Sequence, residues 1–303
     1  MERRLSDHEG YKMRRVKVNQ MVTGIRKLPL LPAIMLLIVI VCAVFAPFIA
    51  PLDPTGIDLN NVLRPPFWSA TGGSTYILGT DNLGRDVLSR IIFGSRVSVI
   101  VGVAAAGFAA AFGVALGLIS GYFGGRLDSL IMRATDIMLA LPPILIALVL
   151  VVVLGASIAN VVLVYALVNW AQYARLVRGG VLSVKTREFI SLTVIAGCSP
   201  TRILLKHVLP NVVGTVLVVA TLQVGLAILF ESMLSFLGMG VPPPTPTWGC
   251  MVSEGRSFIT SAWWLTTFPG LAIVFTVLSI NLAGDWLADF LDPMRRQDYR
   301  LRA

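Results

Sequence analysis

Apolar and polar residues are not interleaved along this chain; they come in blocks. Reading between charges gives five long, strongly apolar stretches without Asp, Glu, Lys or Arg: 28–52, 97–125, 137–174, 208–230 and 257–284. Each exceeds the ~20 residues a helix needs to cross a hydrocarbon core about 30 Å thick. The stretch 137–174 is long enough for two crossings, and Gly155 to Asn160 (GASIAN) offers the turn between them. None shows the two-residue alternation of a membrane β-barrel strand. The pattern predicts an all-α membrane protein with six transmembrane helices, at 28–50, 97–121, 137–154, 159–174, 211–231 and 266–286.

Composition agrees. The 303 residues are 56% hydrophobic and 14% charged, against about a quarter charged in a soluble domain. The net charge of +9 could suggest nucleic acid, but it lies in the gaps between apolar runs. An even number of spans puts both termini on one side. Segments 1–27, 126–136, 175–207 and 285–303 then hold 20 of the 25 Lys and Arg, and 53–96 with 231–256 hold 5. That asymmetry predicts cytoplasmic termini. The division expected is a basic N-terminal segment (1–27), a membrane domain (28–296) holding a cytoplasmic loop at 175–210, and a tail (297–303). Residues 1–27 are too long and too mixed in charge for a signal peptide, so 28–52 reads as a retained first span. Cys42, Cys198 and Cys250 have no metal-ligand spacing, and His8 and His207 are the only histidines, so no metal site is expected. Gly102, Gly107, Gly113 and Gly117 give the second span a smooth surface, suited to close helix packing or to passage of a substrate.

The longest internal cytoplasmic loop contains TREFISLTVIAGCSPTRILLKHVLPN (186–211). It reads as two short helices. Thr186 is placed to cap the first, Glu188 lies in its first turn, and Gly197 sits where it ends. Ser199 and Pro200 restart the chain as an N-cap and first helical residue, and the second helix runs toward Pro210. Phe189, Leu192 and Ala196 fall on one face. Such a face is covered either by lipid headgroups, with Arg202 and Lys206 against anionic lipid, or by a groove on a soluble partner.

The spacing from Gly197 to His207-Val208-Leu209-Pro210 resembles the cytoplasmic signature of ABC importer permeases. In that family a Glu-Ala-Ala element precedes the glycine. By register those positions are Ser191, Leu192 and Thr193 here, a departure, with Glu188 one turn earlier. LGTDNLGRDVLSRIIFGSRVSVIVG (78–102), TDIMLALPPILIAL (135–148), FESMLSFLGMGVPPPTPTWGCMVSEG (230–255) and NLAGDWLADFLDP (281–293) resemble dipeptide, oligopeptide and nickel importer permeases, the second of the two unlike subunits in particular. The resemblance implies a type I importer permease fold with a coupling helix. It makes Arg187, Glu188, Phe189, Ser191, Leu192, Thr193, Ala196, Gly197, His207, Leu209 and Pro210 the contact with an ATPase. It also implies a homologous second permease, two ATPase subunits that carry ATP and Mg, and an extracytoplasmic substrate-binding protein. The setting would be the cytoplasmic membrane of a bacterium or archaeon.

On the outer side, Asp81–Arg85 and Asp86–Arg90 are i, i+4 pairs with the acid first, expected as an interfacial helix tied by its own ion pairs or as a contact for the neighbouring permease or receptor. VPPPTPTWG (241–249), with Pro243 and Trp248, is expected to be a stiff extended loop flanked by Glu231 and Glu254. Glu231 and Asp285 lie near the ends of spans and are expected to be solvated. Asp285, Asp289 and Asp292 share a face that ends the last helix. Trp263-Trp264 fits an interfacial aromatic belt.

No GxxxxGK[ST] phosphate loop is present, nor HExxH or GxSxG, so the chain reads as a non-catalytic subunit with no cofactor of its own. The expected function is the translocation pore of an ATP-driven importer of short peptides. The alternatives are the same architecture importing nickel or another small solute, and more remotely a stand-alone channel or an intramembrane enzyme.

Overall fold

The computed structural model describes residues 30–69 and 75–291. The basic segment 1–27, the tail 297–303 and Asp292 lie outside them. Within the described residues the chain is helical, and its only β feature is an isolated bridge between Thr80 and Asp86. The helices are α1 (Leu30–Ile49), α2 (Val87–Phe123), α3 (Gly125–Ala140), α4 (Pro143–Leu154), α5 (Ile158–Lys185), α6 (Glu188–Ile195), α7 (Pro200–Ile203), α8 (Leu209–Phe236), α9 (Trp248–Gly255) and α10 (Trp264–Leu291). Such a fold suits hydrocarbon, where each segment must satisfy its own backbone hydrogen bonds.

By length and composition four helical runs can cross a membrane: α1, α2, the continuous run Pro200–Phe236, and α10. The bent pair α3–α4 makes a fifth if it counts as one span. Helix α5 is as long as α8, at 28 residues, but carries Asn160, Asn169, Gln172, Arg175 and Arg178. Six crossings therefore require α5, which is more polar than α1, α2, α8 or α10.

Three boundaries differ from the sequence expectation. Helix α2 starts at Val87 rather than 97, because Arg90 is neutralised inside the protein and does not end the helix. The expected span 137–154 is broken at Leu141-Pro142, where α3 and α4 meet at 94°. Two consecutive prolines remove N–H donors and push Leu141 into extended conformation (φ −93°, ψ 141°). Helix α5 runs on past 174 to Lys185, its charges paired sideways: Arg178 makes two bonds to Asp128 at 2.6 and 2.7 Å, and Arg175 pairs with Asp136. The turn at 155–160 forms as read. Gly155 has φ +84°, the Ser157 hydroxyl accepts from Asn160 N–H, and the Asn160 amide donates to the Leu154 and Gly155 carbonyls.

The main core lies where α2, α4, α5 and α8 meet, around Val101, Ala109, Tyr165, Tyr173, Val177 and Ile203. A second core joins the start of α2 to α8, α9 and α10 through Val87, Ile228, Trp248 and Trp264. Helices α2 and α5 touch backbone to backbone. A Cβ at Gly113 would stand 2.3 Å from the Trp170 carbonyl oxygen, and one at Gly117 would stand 2.7 Å from that of Ala174. Gly102 faces Ile228 of α8 in the same close manner, whereas Gly107 looks into open space and packs against nothing.

Gly113→Val is therefore expected to force α2 and α5 apart. The cost is about 1–3 kcal/mol, read as a lowered unfolding temperature in detergent; an unchanged temperature would contradict the contact.

Candidate functional site

The loop after α5 is built by local chemistry. Thr186 does not cap the next helix as its sequence position suggests. It ends α5, and its hydroxyl donates back to the Ser183 carbonyl at 2.9 Å. Arg187, in extended conformation, opens α6 without a side-chain cap, and Glu188 occupies the first turn. Helix α6 closes with Gly197 at φ +75°. Gly197 N–H bonds the Val194 carbonyl and Cys198 N–H that of Thr193, the paired bonds of a Schellman cap. A Cβ at Gly197 would meet no atom within 4 Å, so the constraint there is the left-handed backbone, which only glycine adopts freely. Ser199 then caps α7 through Arg202 N–H, with Pro200 in its first turn.

The second loop helix is not separate from the fifth span. Leu204–Val208 forms one π-helical turn and α8 follows directly, so Pro200–Phe236 is continuous. Pro210 explains the wide turn: in an ordinary helix its ring would press on the Lys206 carbonyl. The Leu209 N–H reaches Leu204 O instead. Leu209 is half-buried, His207 likewise, and Pro210 is exposed.

Helix α6 offers its apolar residues outward. Ile190 alone is buried, 2% exposed, against Val184, Ile203 and Leu204. Leu192 is 64% exposed, Ile195 82% and Val194 54%, and Phe189 is exposed as well. Arg187, Glu188, Ser191 and Ala196 are also exposed, and Thr193 is half-buried. Of the loop's site residues, Arg187 to Gly197 lie on α6 and the turns at its two ends, whereas His207, Leu209 and Pro210 lie where the π-helical turn passes into α8.

The opposite end is closed by a buried ionic cluster, and here the sequence expectation is corrected. Residues 80–86 form a tight turn rather than a helix, with Asp81 N–H bonded to the Arg85 carbonyl and Gly84 at φ +76°. Arg85 pairs with Asp81 at 2.7 Å, as the spacing predicts, and with Glu254 at 2.9 Å. Arg90 does not pair with Asp86. It reaches Asp81 and Glu254. Asp86 caps α2, accepting from Ser89 N–H at 2.9 Å and from its hydroxyl at 2.6 Å. Asp81, Arg85, Asp86 and Arg90 are all buried, and through Glu254 the two arginines tie the start of α2 to α9. Trp248 is 1% exposed and starts α9; its Nε1–H donates to the Ile91 carbonyl at 2.9 Å. The loop expected to run extended over 241–249 instead bends and turns at 240–245 and ends at Thr247, which caps α9 through Cys250 N–H; Pro243 is exposed. Trp264 is buried and donates to Thr80 O at 3.1 Å, while Trp263 stays exposed. Glu231, expected to be solvated, is 0% exposed, with Ser235 donating to its Oε1 at 2.6 Å. Burial first, then the Glu254 charge, pushes the Cys250 thiol up to about 11, which leaves it unreactive near neutral pH.

Reading between charges passed over a third group. Gln172 and Gln223 stand at the midpoints of α5 and α8 and hydrogen-bond each other, and the Tyr165 hydroxyl donates to Gln223 Oε1 at 2.7 Å. The available signal was uncharged but polar residues, Asn169, Gln172 and Gln223, inside apolar runs.

Comparison with known proteins adds to this. Residues 113–297 match the family model described as "Binding-protein-dependent transport system inner membrane component". The chain is 45% identical over 268 residues to the dipeptide transport system permease protein DppC of Haemophilus influenzae, covering 88% of this chain and 91% of that one. It is 46% identical to DppC of Escherichia coli K12, covering 86% and 87%. It is 38% identical to the oligopeptide transport system permease protein OppC of Bacillus subtilis, covering 89% and 87%. Among solved structures, an inward-facing form of the MetNI methionine ABC transporter shares the fold: TM-score 0.57 and 16% identity, covering 67% of this chain and 96% of that one.

Removing one member of a buried ionic group strands its partners. Asp81→Ala leaves Arg85 and Arg90 with Glu254 alone and should cost about 3–5 kcal/mol. Tryptophan fluorescence is the readout, since Trp248 and Trp264 pack beside the cluster; an unchanged unfolding midpoint would contradict this arrangement.

Proposed function

The chain belongs to the family of binding-protein-dependent transport system inner membrane components, and from that premise we propose how it works as the pore subunit of a peptide importer. It is a multi-pass membrane protein of the type I ABC importer permease fold, and its relatives transport dipeptides and oligopeptides. Short peptides are the cargo this supports, passing through spans 28–296 with α5 as the sixth crossing. The polar side chains of α5 are compatible with a crossing because Asn169 is buried, Arg175 and Arg178 are paired with acids, and Gln172 is bonded to Gln223. The excess of Lys and Arg in 1–27, 126–136, 175–207 and 285–303 supports a cytoplasmic position for both termini and for the 186–210 loop.

The chain hydrolyses no ATP in this reading. Its sequence has no phosphate-binding loop, so ATP and Mg belong to two separate ATPase subunits. A homologous second permease completes the pore, and an extracytoplasmic binding protein delivers the peptide. The setting is the cytoplasmic membrane of a bacterium or archaeon.

One observation carries the coupling role: α6 is a helix capped at its C-terminal end whose apolar side chains, Ile190 apart, are exposed. A helix lying in lipid headgroups has one apolar face opposite a basic one. In α6 Phe189, Leu192, Val194 and Ile195 emerge on several sides, and Glu188–Ile195 contains no Lys or Arg. That distribution suits insertion into a groove. Closure of the ATPases on nucleotide would move α6, and with it α5 and α8, which leave the loop as continuous helices. The gate then shifts between two states through contact.

Ile195→Asp tests this without touching the fold, since the side chain is 82% exposed. The chain should reach the membrane at normal level. Co-purification of the ATPases and receptor-stimulated ATP hydrolysis should each fall by roughly ten-fold, as expected for burying a charge in an apolar contact. Normal recruitment and uptake in this variant would refute the assignment.

A further inference from the structure

The Tyr165–Gln223–Gln172 chain has a direction. Tyr165 donates its hydroxyl proton toward the Gln223 carbonyl (3.0 Å) and Gln223 Oε1 (2.7 Å). With its oxygen engaged, Gln223 uses its amide nitrogen to donate to Gln172 Oε1. Gln172 is therefore fixed by its oxygen, and its own two N–H donors turn away; among the described residues they have no partner. Tyr165 and Gln223 are buried, whereas Gln172 is exposed.

Depth matters. Gln172 lies 14 residues into a 28-residue helix, about 21 Å from either end at ~1.5 Å per residue. That is the middle of the bilayer if α5 spans it. An amide with two unmet donors is costly to leave in lipid there. Nor is Gln172 alone: Tyr165, Asn169, Gln172, Arg175 and Gly179 form one stripe along α5. The stripe is covered at Tyr165 and Asn169 and open from Gln172 toward the loop end. An exposed stripe carrying an amide and an arginine fits a hydrated passage better than a lipid face.

We propose that Gln172 is a substrate-contacting residue of the passage, its amide donors taking peptide-bond carbonyl oxygens of the cargo at mid-membrane. Tyr165 and Gln223 are positioning residues that hold those donors outward. Every short peptide carries such oxygens whatever its side chains, so the site recognises backbone and is indifferent to sequence. This rests on the importer reading given above.

The test uses the whole complex in proteoliposomes: this chain, the second permease, the ATPases and the receptor, with a radiolabelled dipeptide. Gln172→Leu keeps the size and removes the donors. Peptide uptake should fall roughly ten-fold, the scale of one lost hydrogen bond, while assembly and receptor-stimulated ATP hydrolysis persist. Gln172→Asn, which keeps donors on a shorter arm, should recover part of the uptake. Tyr165→Phe should give a smaller loss, because the donors remain and only their aim is lost. Gln172→Cys, with Cys42, Cys198 and Cys250 replaced by Ser, should react with a charged, water-soluble thiol reagent during turnover. Wild-type uptake in an assembled Gln172→Leu complex would overturn the proposal. So would failure of that complex to assemble, which would make Gln172 a helix-packing group, or an unreactive cysteine in an assembled complex. A wild-type complex that imports no peptide would overturn the importer reading and this proposal together, and that control separates the two failures.

Discussion

The contact that everything else leans on is between two backbones. Along Gly113, Gly117 and Gly121, α2 comes so close to α5 that no side chain fits between them, with clearances under 3 Å for any added Cβ. Lipid gives helices no hydrophobic reason to associate, so dispersion over such a close seam is what holds them. Polar clamps finish it at the loop end: Lys185 donates to the Tyr122 carbonyl at 2.7 Å, and Arg178 grips Asp128. Helix α5 is thereby fastened along α2 and α3. Its middle carries Gln172 and its end carries α6.

The two ends of the bundle are built on opposite principles. At the far end the charges are buried and matched, two arginines against Asp81 and Glu254, with Trp248 and Trp264 hydrogen-bonded into the same block. Such a cluster is worth little in net stability but tolerates few alternative arrangements. At the loop end a helix is held by its caps and one buried side chain, with the rest of its apolar surface unspent. A matched ionic block at one end and a helix with exposed apolar side chains at the other are joined by α2, α5 and α8.

Much of this was legible in the sequence because the membrane imposes simple rules. Long charge-free runs marked α1, α10 and the core of α2 and α8, and Gly197, Ser199 and Pro200 marked the loop geometry. Where the reading slipped, the cause was usually a charge that had found a partner. Arg90 was placed ahead of the second span although it sits within α2, and Arg175 and Arg178 cut α5 short by eleven residues. The Asp81 group was expected at a wet surface, but Glu254, far away in sequence, pairs with its arginines and allows the cluster to be buried. Glu231 was expected there too, yet it is buried with only the nearby Ser235 hydroxyl donating to it. The bend at Leu141-Pro142 was visible as a proline pair, yet its 94° angle depends on how α3 and α4 pack, which no local signal states.

The central claim is that the exposed side chains of α6 are covered by an ATPase subunit. A photo-activated cross-linking amino acid at Leu192 in the native complex reads this directly, because Leu192 is 64% exposed and no part of the chain's own core. The account predicts a covalent adduct with an ATPase polypeptide on illumination. An adduct with lipid alone would contradict it.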